Sequence, residues 1–123
     1  MSILMKNKNI YEHASKLFVF NECNAKIPVR INFYLQKNIQ LIQQAAEEID
    51  QARLNIGAQF GALNAEQTGY DIPAENLEEA NRELTDLFNL EQDLPIHIFK
   101  LDDFDGIELT YQQMSAIMFM IEE

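Results

Sequence analysis

The residues most suggestive of chemistry are Asp102-Asp103-Phe104-Asp105-Gly106-Ile107-Glu108, an acidic run around a glycine. Such a run invites comparison with a calcium-binding loop, in which carboxylates alternate along twelve positions and a glycine at the sixth makes the sharp turn. Placing Gly106 sixth makes Leu101 first and Gln112 twelfth. Neither is a carboxylate, so the first ligand and the bidentate twelfth ligand are both missing, and no metal site is expected. His13 and His97 have no partner at ligand spacing, and Glu12-His13 lacks a second histidine four residues on. Cys23 is the single cysteine, which excludes an internal disulfide and fits a reducing compartment. The four scattered glycines build no phosphate loop or dinucleotide fingerprint. The sequence therefore leads us to expect no catalytic residues, no cofactor and no metal.

The elements that carry these residues are mostly helical. Residues 2–6 read as a short strand, and a first helix runs from about Asn9 to Asn21, with Ile10, Ala14, Leu17 and Phe18 at helical spacing. Pro28 suits a helix start, and one continuous helix is expected from there to about Phe60. Leu35, Ile42, Ile49 and Ile56 recur every seven residues, with Ile31, Asn38, Ala45 and Ala52 at the companion positions. That is a heptad seam of about four repeats. At ~1.5 Å per residue the helix would measure roughly 50 Å. A compact chain of this length is only about 35 Å across. The mismatch predicts that part of the stripe lacks an intramolecular partner, so Leu35, Ile42, Ile49 and Ile56 are the candidate self-association residues.

Gly61 to Ala74 reads as a mobile loop. A third helix is expected from about Pro73 to Glu91, with Leu77, Ala80, Leu84, Leu87 and Phe88 inward. Leu94 to Leu101 reads as a strand, and Thr110 with Gln113 forms a capping box that opens a helix from Tyr111 to Glu122. The result is a single α+β domain over residues 1–123, dominated by helix. It has one long amphipathic helix, three shorter ones and a small two-stranded β element.

Charge is unevenly distributed. Residues 1–60 carry +2 and residues 61–123 carry −13, giving the net −11. The acidic half, with Glu75, Glu79, Asp102, Asp103 and Asp105, is the candidate surface for a basic host protein, and it opposes direct nucleic-acid binding. Lys6, Lys8, Lys16, Lys26, Arg30 and Lys37 give the first forty residues a basic bias and interleave with Tyr11, Phe18, Phe33 and Tyr34, but these aromatics fall at core spacing, so the stretch is read as core and solvated surface. No apolar stretch approaches the roughly 20 residues of a membrane span.

Lys6-Asn7-Lys8-Asn9-Ile10, Lys26-Ile27-Pro28-Val29, Lys37-Asn38-Ile39, Glu79-Ala80-Asn81-Arg82-Glu83-Leu84, Leu109-Thr110 and the closing Met120-Ile121-Glu122-Glu123 resemble small uncharacterised proteins of tailed phages and prophages of Firmicutes-type hosts. Such families carry no assigned activity, so the resemblance transfers no site residue. It implies a phage origin and work in the bacterial cytoplasm or in the virion. The expected function is non-enzymatic: an assembly factor or minor structural component acting through protein–protein contacts, including contacts with itself. The alternative is an acidic inhibitor of a host nucleic-acid enzyme or defence system that mimics nucleic acid.

Overall fold

Five residues after Pro28, the side chains of α2 (Val29–Phe60) already alternate between core and solvent, and the rest of the chain is laid along this helix. The computed structural model describes residues 2–22, 26–63 and 69–122. The order is β1 (Ile3–Lys6), α1 (Asn7–Glu22), α2, β2 (Ala62–Leu63), β3 (Tyr70–Asp71), α3 (Ala74–Asn89), β4 (Glu91–Leu94), β5 (Phe99–Lys100), α4 (Tyr111–Ile117) and β6 (Ile121–Glu122). Short 3-10 turns cover Leu101–Phe104 and Met118–Met120. The architecture is α+β and helix-dominated.

Heptad spacing places Leu35, Ile42 and Ile49 on one stripe of α2, and all three are at most 2% exposed. Ile10 and Leu17 of α1 and Ile117 and Met120 of the C-terminal segment join them in one core. Burying each such side chain contributes about 1.5–3 kcal/mol. The seam is thus covered within the chain by neighbouring elements, and only Ile56 stays half-exposed. This corrects the expectation of an unpartnered stripe: the length estimate assumed a sphere, whereas the other elements pack along the helix. Asn38, at a companion position, does not face a second helix either, as described below.

Among the described residues three two-stranded ribbons complete the fold. β1 pairs antiparallel with β4, Ile3 opposite Leu94 and Lys6 opposite Glu91. The expected strand from Leu94 to Leu101 is corrected. Pro95 has no N–H to donate, residues 95–98 leave the ladder, and pairing resumes at β5, parallel to β6. β2 pairs with β3 inside the segment read as a loop, while residues 64–68 lie outside the described ones. Gly61 makes this possible: a Cβ there would stand 2.4 Å from the Asp71 carbonyl oxygen.

Helix ends follow the sequence closely. Thr110 Oγ1 accepts from the Gln113 N–H at 3.1 Å, and Gln113 Oε1 accepts from the Thr110 N–H at 2.8 Å, the reciprocal box that starts α4. The helix stops at Ile117 rather than continuing to Glu122, because Ile121 and Glu122 are drawn into pairing with Phe99 and Lys100. Asn7 opens α1. Its backbone N–H bonds the Leu90 carbonyl, its amide donates to the Leu87 carbonyl, and its oxygen accepts from Gln92. In α3, Ala80 is buried, but Leu77 is 46% exposed and does not point inward as its spacing suggested.

Candidate functional site

The most constructed surface lies where residues 95–98 cross the first half of α2. Asn38 is 1% exposed, and its amide holds one residue of the crossing segment on both sides. Nδ2 donates to the His97 carbonyl at 2.8 Å, and Oδ1 accepts from the His97 N–H at 2.8 Å. The side chain thereby supplies the donor and acceptor that a neighbouring strand would, in a segment that has no strand partner. A buried amide left without these bonds would be costly, so the geometry is well determined.

The clamp fixes the His97 ring against Tyr34, stacked at 4.3 Å and 16°, with Phe99 edge-on beneath at 4.7 Å. Tyr34 meets Phe33 edge-to-face at 5.3 Å, and Lys37 Nζ stands 5.1 Å from the Phe33 centroid. Such aromatic and cation–π contacts contribute only about 0.5–1 kcal/mol each at an exposed site. Yet Phe33 is 56% and Tyr34 42% exposed. Beside them opens a groove of about 780 Å³, lined by Tyr34, Lys37, Leu41, Gln44, Pro95 and Ile98.

Charge singles out the same face. From Lys26 to Ala46 the chain has no carboxylate, although its net charge is −11. Arg30, Phe33, Tyr34 and Lys37 follow one another at three-, one- and three-residue steps, so they share one flank of α2. Arg30 and Lys37 are exposed, and no acidic side chain occupies the first turn. The reading of Phe33 and Tyr34 as core is corrected: their spacing is helical, but their flank is turned away from the seam. The signal that could have found the face is this pairing of off-seam rings with a carboxylate-free run.

A second groove, between α1 and α2, is floored by Ala14 and Ala46 and carries a surface network at one end. Tyr11 donates to Asp50 Oδ1 at 2.5 Å, and Arg53 pairs with the same carboxylate at 2.9 Å. The bond to Asp50 pushes the Tyr11 phenol up. The bond from Tyr11, followed by that from Arg53, holds the Asp50 carboxyl below the usual range. Both shifts move the groups away from neutral pH, where neither then exchanges a proton readily. The network ties two helices.

The acidic candidates are not brought together. Glu75 and Glu79 are exposed in the first turns of α3, whose Asn76 amide donates to the Phe60 carbonyl at the C-terminal end of α2. Asp102, Asp103 and Asp105 flank Phe104, which leads through Phe99 and His97 back to Tyr34. Tyr34 and Phe60 are separated by about 39 Å of helix at ~1.5 Å per residue. The single acidic surface expected from the sequence is therefore split between the two ends of α2. Asp103 is engaged locally, accepting from the Lys100 N–H at 2.9 Å, and Gly106 takes a positive φ of 81° in the turn that follows.

Among the described residues no group of three or more His, Cys, Asp or Glu is placed to hold a metal ion. No helix there is long and apolar enough to cross a membrane. Cys23 lies outside the described residues. His13 stacks on Phe119 at 4.0 Å, its Nδ1 buried with no hydrogen-bond partner among the described residues. No protein-family model, curated protein or solved structure matches this chain.

Proposed function

We propose that this chain is a non-enzymatic interaction protein, an assembly factor or minor structural component of a tailed phage or prophage. It acts through protein–protein contacts in the cytoplasm of the bacterial host or in the virion. The phage setting rests on the sequence resemblance alone. The mode of action rests on one observation: two exposed rings, Phe33 and Tyr34, in a carboxylate-free stretch of α2 with Arg30 and Lys37, beside a His97 segment that the buried Asn38 clamps. Exposed aromatics beside a groove are the residues that anchor protein interfaces, because they bury much area with little loss of freedom.

The nucleic-acid-mimic reading needs one continuous array of carboxylates. The separation of Glu75 and Glu79 from Asp102 to Asp105 counts against it. A tagged chain recovered from infected or lysogenic cells tests the docking reading. A Phe33→Ser/Lys37→Glu variant that folds normally should lose the protein that co-purifies with the wild type. Retention of that protein by the variant, or no stable protein partner at all, overturns the reading.

A further inference from the structure

With Leu35, Ile42 and Ile49 buried in the chain's own core, self-association cannot run through the seam. The chain does carry an exposed surface whose chemistry complements the Arg30–Lys37 face. The first turns of α3 present Glu75, Glu78 and Glu79 together with Leu77, which is 46% exposed. We propose that the Arg30–Phe33–Tyr34–Lys37 face binds these acidic first turns of α3 on a second copy of the chain, joining copies head to tail. The inference rests on the reading of that face as a docking surface and names its occupant.

Three observations select this partner. The first is charge complementarity: a stretch of α2 that bears Arg30 and Lys37 and has no carboxylate of its own meets a surface rich in glutamate, whereas each surface meeting its own copy would oppose like charges. The second is apolar content on both sides, since Leu77 supplies a side chain that can cover the Phe33 and Tyr34 rings. Glu78 pairs with Arg82 at 3.6 Å, which leaves Glu75 and Glu79 as the carboxylates offered to a partner. The third is position. Asn76 is tied to Phe60, so the α3 turns sit about 39 Å along α2 from Tyr34. The two surfaces of one copy cannot reach each other, and a contact between them must come from another copy.

Repeated from copy to copy, this contact generates a ring or an open chain; a two-fold pair forms only where both patches of one copy meet their complements at once. A face of this size with two cations makes a weak, salt-sensitive joint. At about 0.01 M salt the screening length is about 30 Å, and at about 1 M it is about 3 Å, so association should fall steeply between these limits.

The test uses the full chain with charges reversed on one surface at a time, Arg30→Glu/Lys37→Glu and Glu75→Lys/Glu79→Lys, each checked for wild-type circular dichroism. Sedimentation velocity at about 0.01 M salt should show the wild type growing in mass with concentration. Each variant alone should lose association at least about tenfold, because its two surfaces now carry the same sign. An equimolar mixture should recover it, since each variant retains the native surface that the other lacks. Unchanged association of either variant alone, or a mixture that stays monomeric, overturns the proposal. So does binding of a single-stranded oligonucleotide to the face in place of a second copy, because rings and cations can also hold bases and phosphates. A wild type that stays monomeric while its Arg30–Lys37 face still retains another protein sinks the self-association alone and leaves the docking reading standing. Loss of neither activity in Arg30→Glu/Lys37→Glu sinks both.

Discussion

At its C-terminal end α2 carries two glycines where a larger residue would collide, so that the β2–β3 ribbon can lie directly on the helix. A Cβ on Gly57 would stand 2.8 Å from the Tyr70 ring, and one on Gly61 2.4 Å from the Asp71 carbonyl oxygen. At its N-terminal end the same helix does the reverse. It keeps Phe33 and Tyr34 in solvent and uses a buried amide to hold a neighbouring segment beside them. Close packing of backbone on backbone finishes a fold and leaves little to bind. Rings left in the open beside a clamped segment contribute little to stability, so the second end is the one arranged for an encounter.

That contrast can be broken most severely at the clamp. Asn38→Ala removes both bonds to His97 and leaves a backbone donor and acceptor facing a void, so urea unfolding should show a loss of about 3 kcal/mol. A loss below about 1 kcal/mol would mean that the amide is incidental to how residues 95–98 are held. At the other end, Gly61→Ala should cost about 1–3 kcal/mol, because its neighbour is backbone and cannot swing aside. Hydrogen exchange should quicken at Ala62 and Tyr70 while the β1–β4 amides keep their protection. Equal loosening of both ribbons would show that the two ends of α2 are not independent.

A milder perturbation lies away from both ends. Burial pushes His13 below its ordinary value near 6.5, with Lys16 adding to the effect and Glu12 opposing it. The neutral imidazole therefore stabilises the fold fully above about pH 6.5. This contribution is lost as pH falls, since the unfolded chain takes up a proton that the folded chain resists. His13→Phe keeps a ring on Phe119 and should flatten the stability profile below about pH 6.5. An unchanged slope would assign it to other groups. The smallest effect belongs to the exposed ring: Phe33→Ser removes only its weak contacts to Tyr34 and Lys37 and should shift stability by about 1 kcal/mol while abolishing the association of the face. A large loss of stability there would make Phe33 a core residue after all.

Much of the frame was legible because local chemistry determines it. Pro28 and Gly61 bound α2 to within a residue, and Thr110 with Gln113 places the start of α4. What was not legible depends on partners distant in sequence. Glu91-Gln92-Asp93-Leu94 has no strand-like composition and becomes β4 because β1 pairs with it. The apolar alternation from Leu94 to Leu101 suggested one strand, but Pro95 and the demand of Asn38 on the His97 backbone divide it. For the site, helical spacing located Phe33 and Tyr34 on α2 but not which flank the neighbours would cover. Only the packed structure shows that the seam turns inward and the rings outward.

The stitching of Asn7 has a consequence for the order in which the chain can be completed. All its partners, Leu87, Leu90 and Gln92, lie some eighty positions further on. Synthesis delivers Asn7 long before them. While the ribosome is adding residues 61–86, α1 and α2 can already pair through nearby contacts, but the edge of β1 is open and the Asn7 amide faces water. Contacts that span so much of the chain close slowly and late. Until residues 87–92 have been made, the first strand of the nascent chain has no partner for its edge, the period when a chaperone or a misplaced neighbour competes most effectively for it.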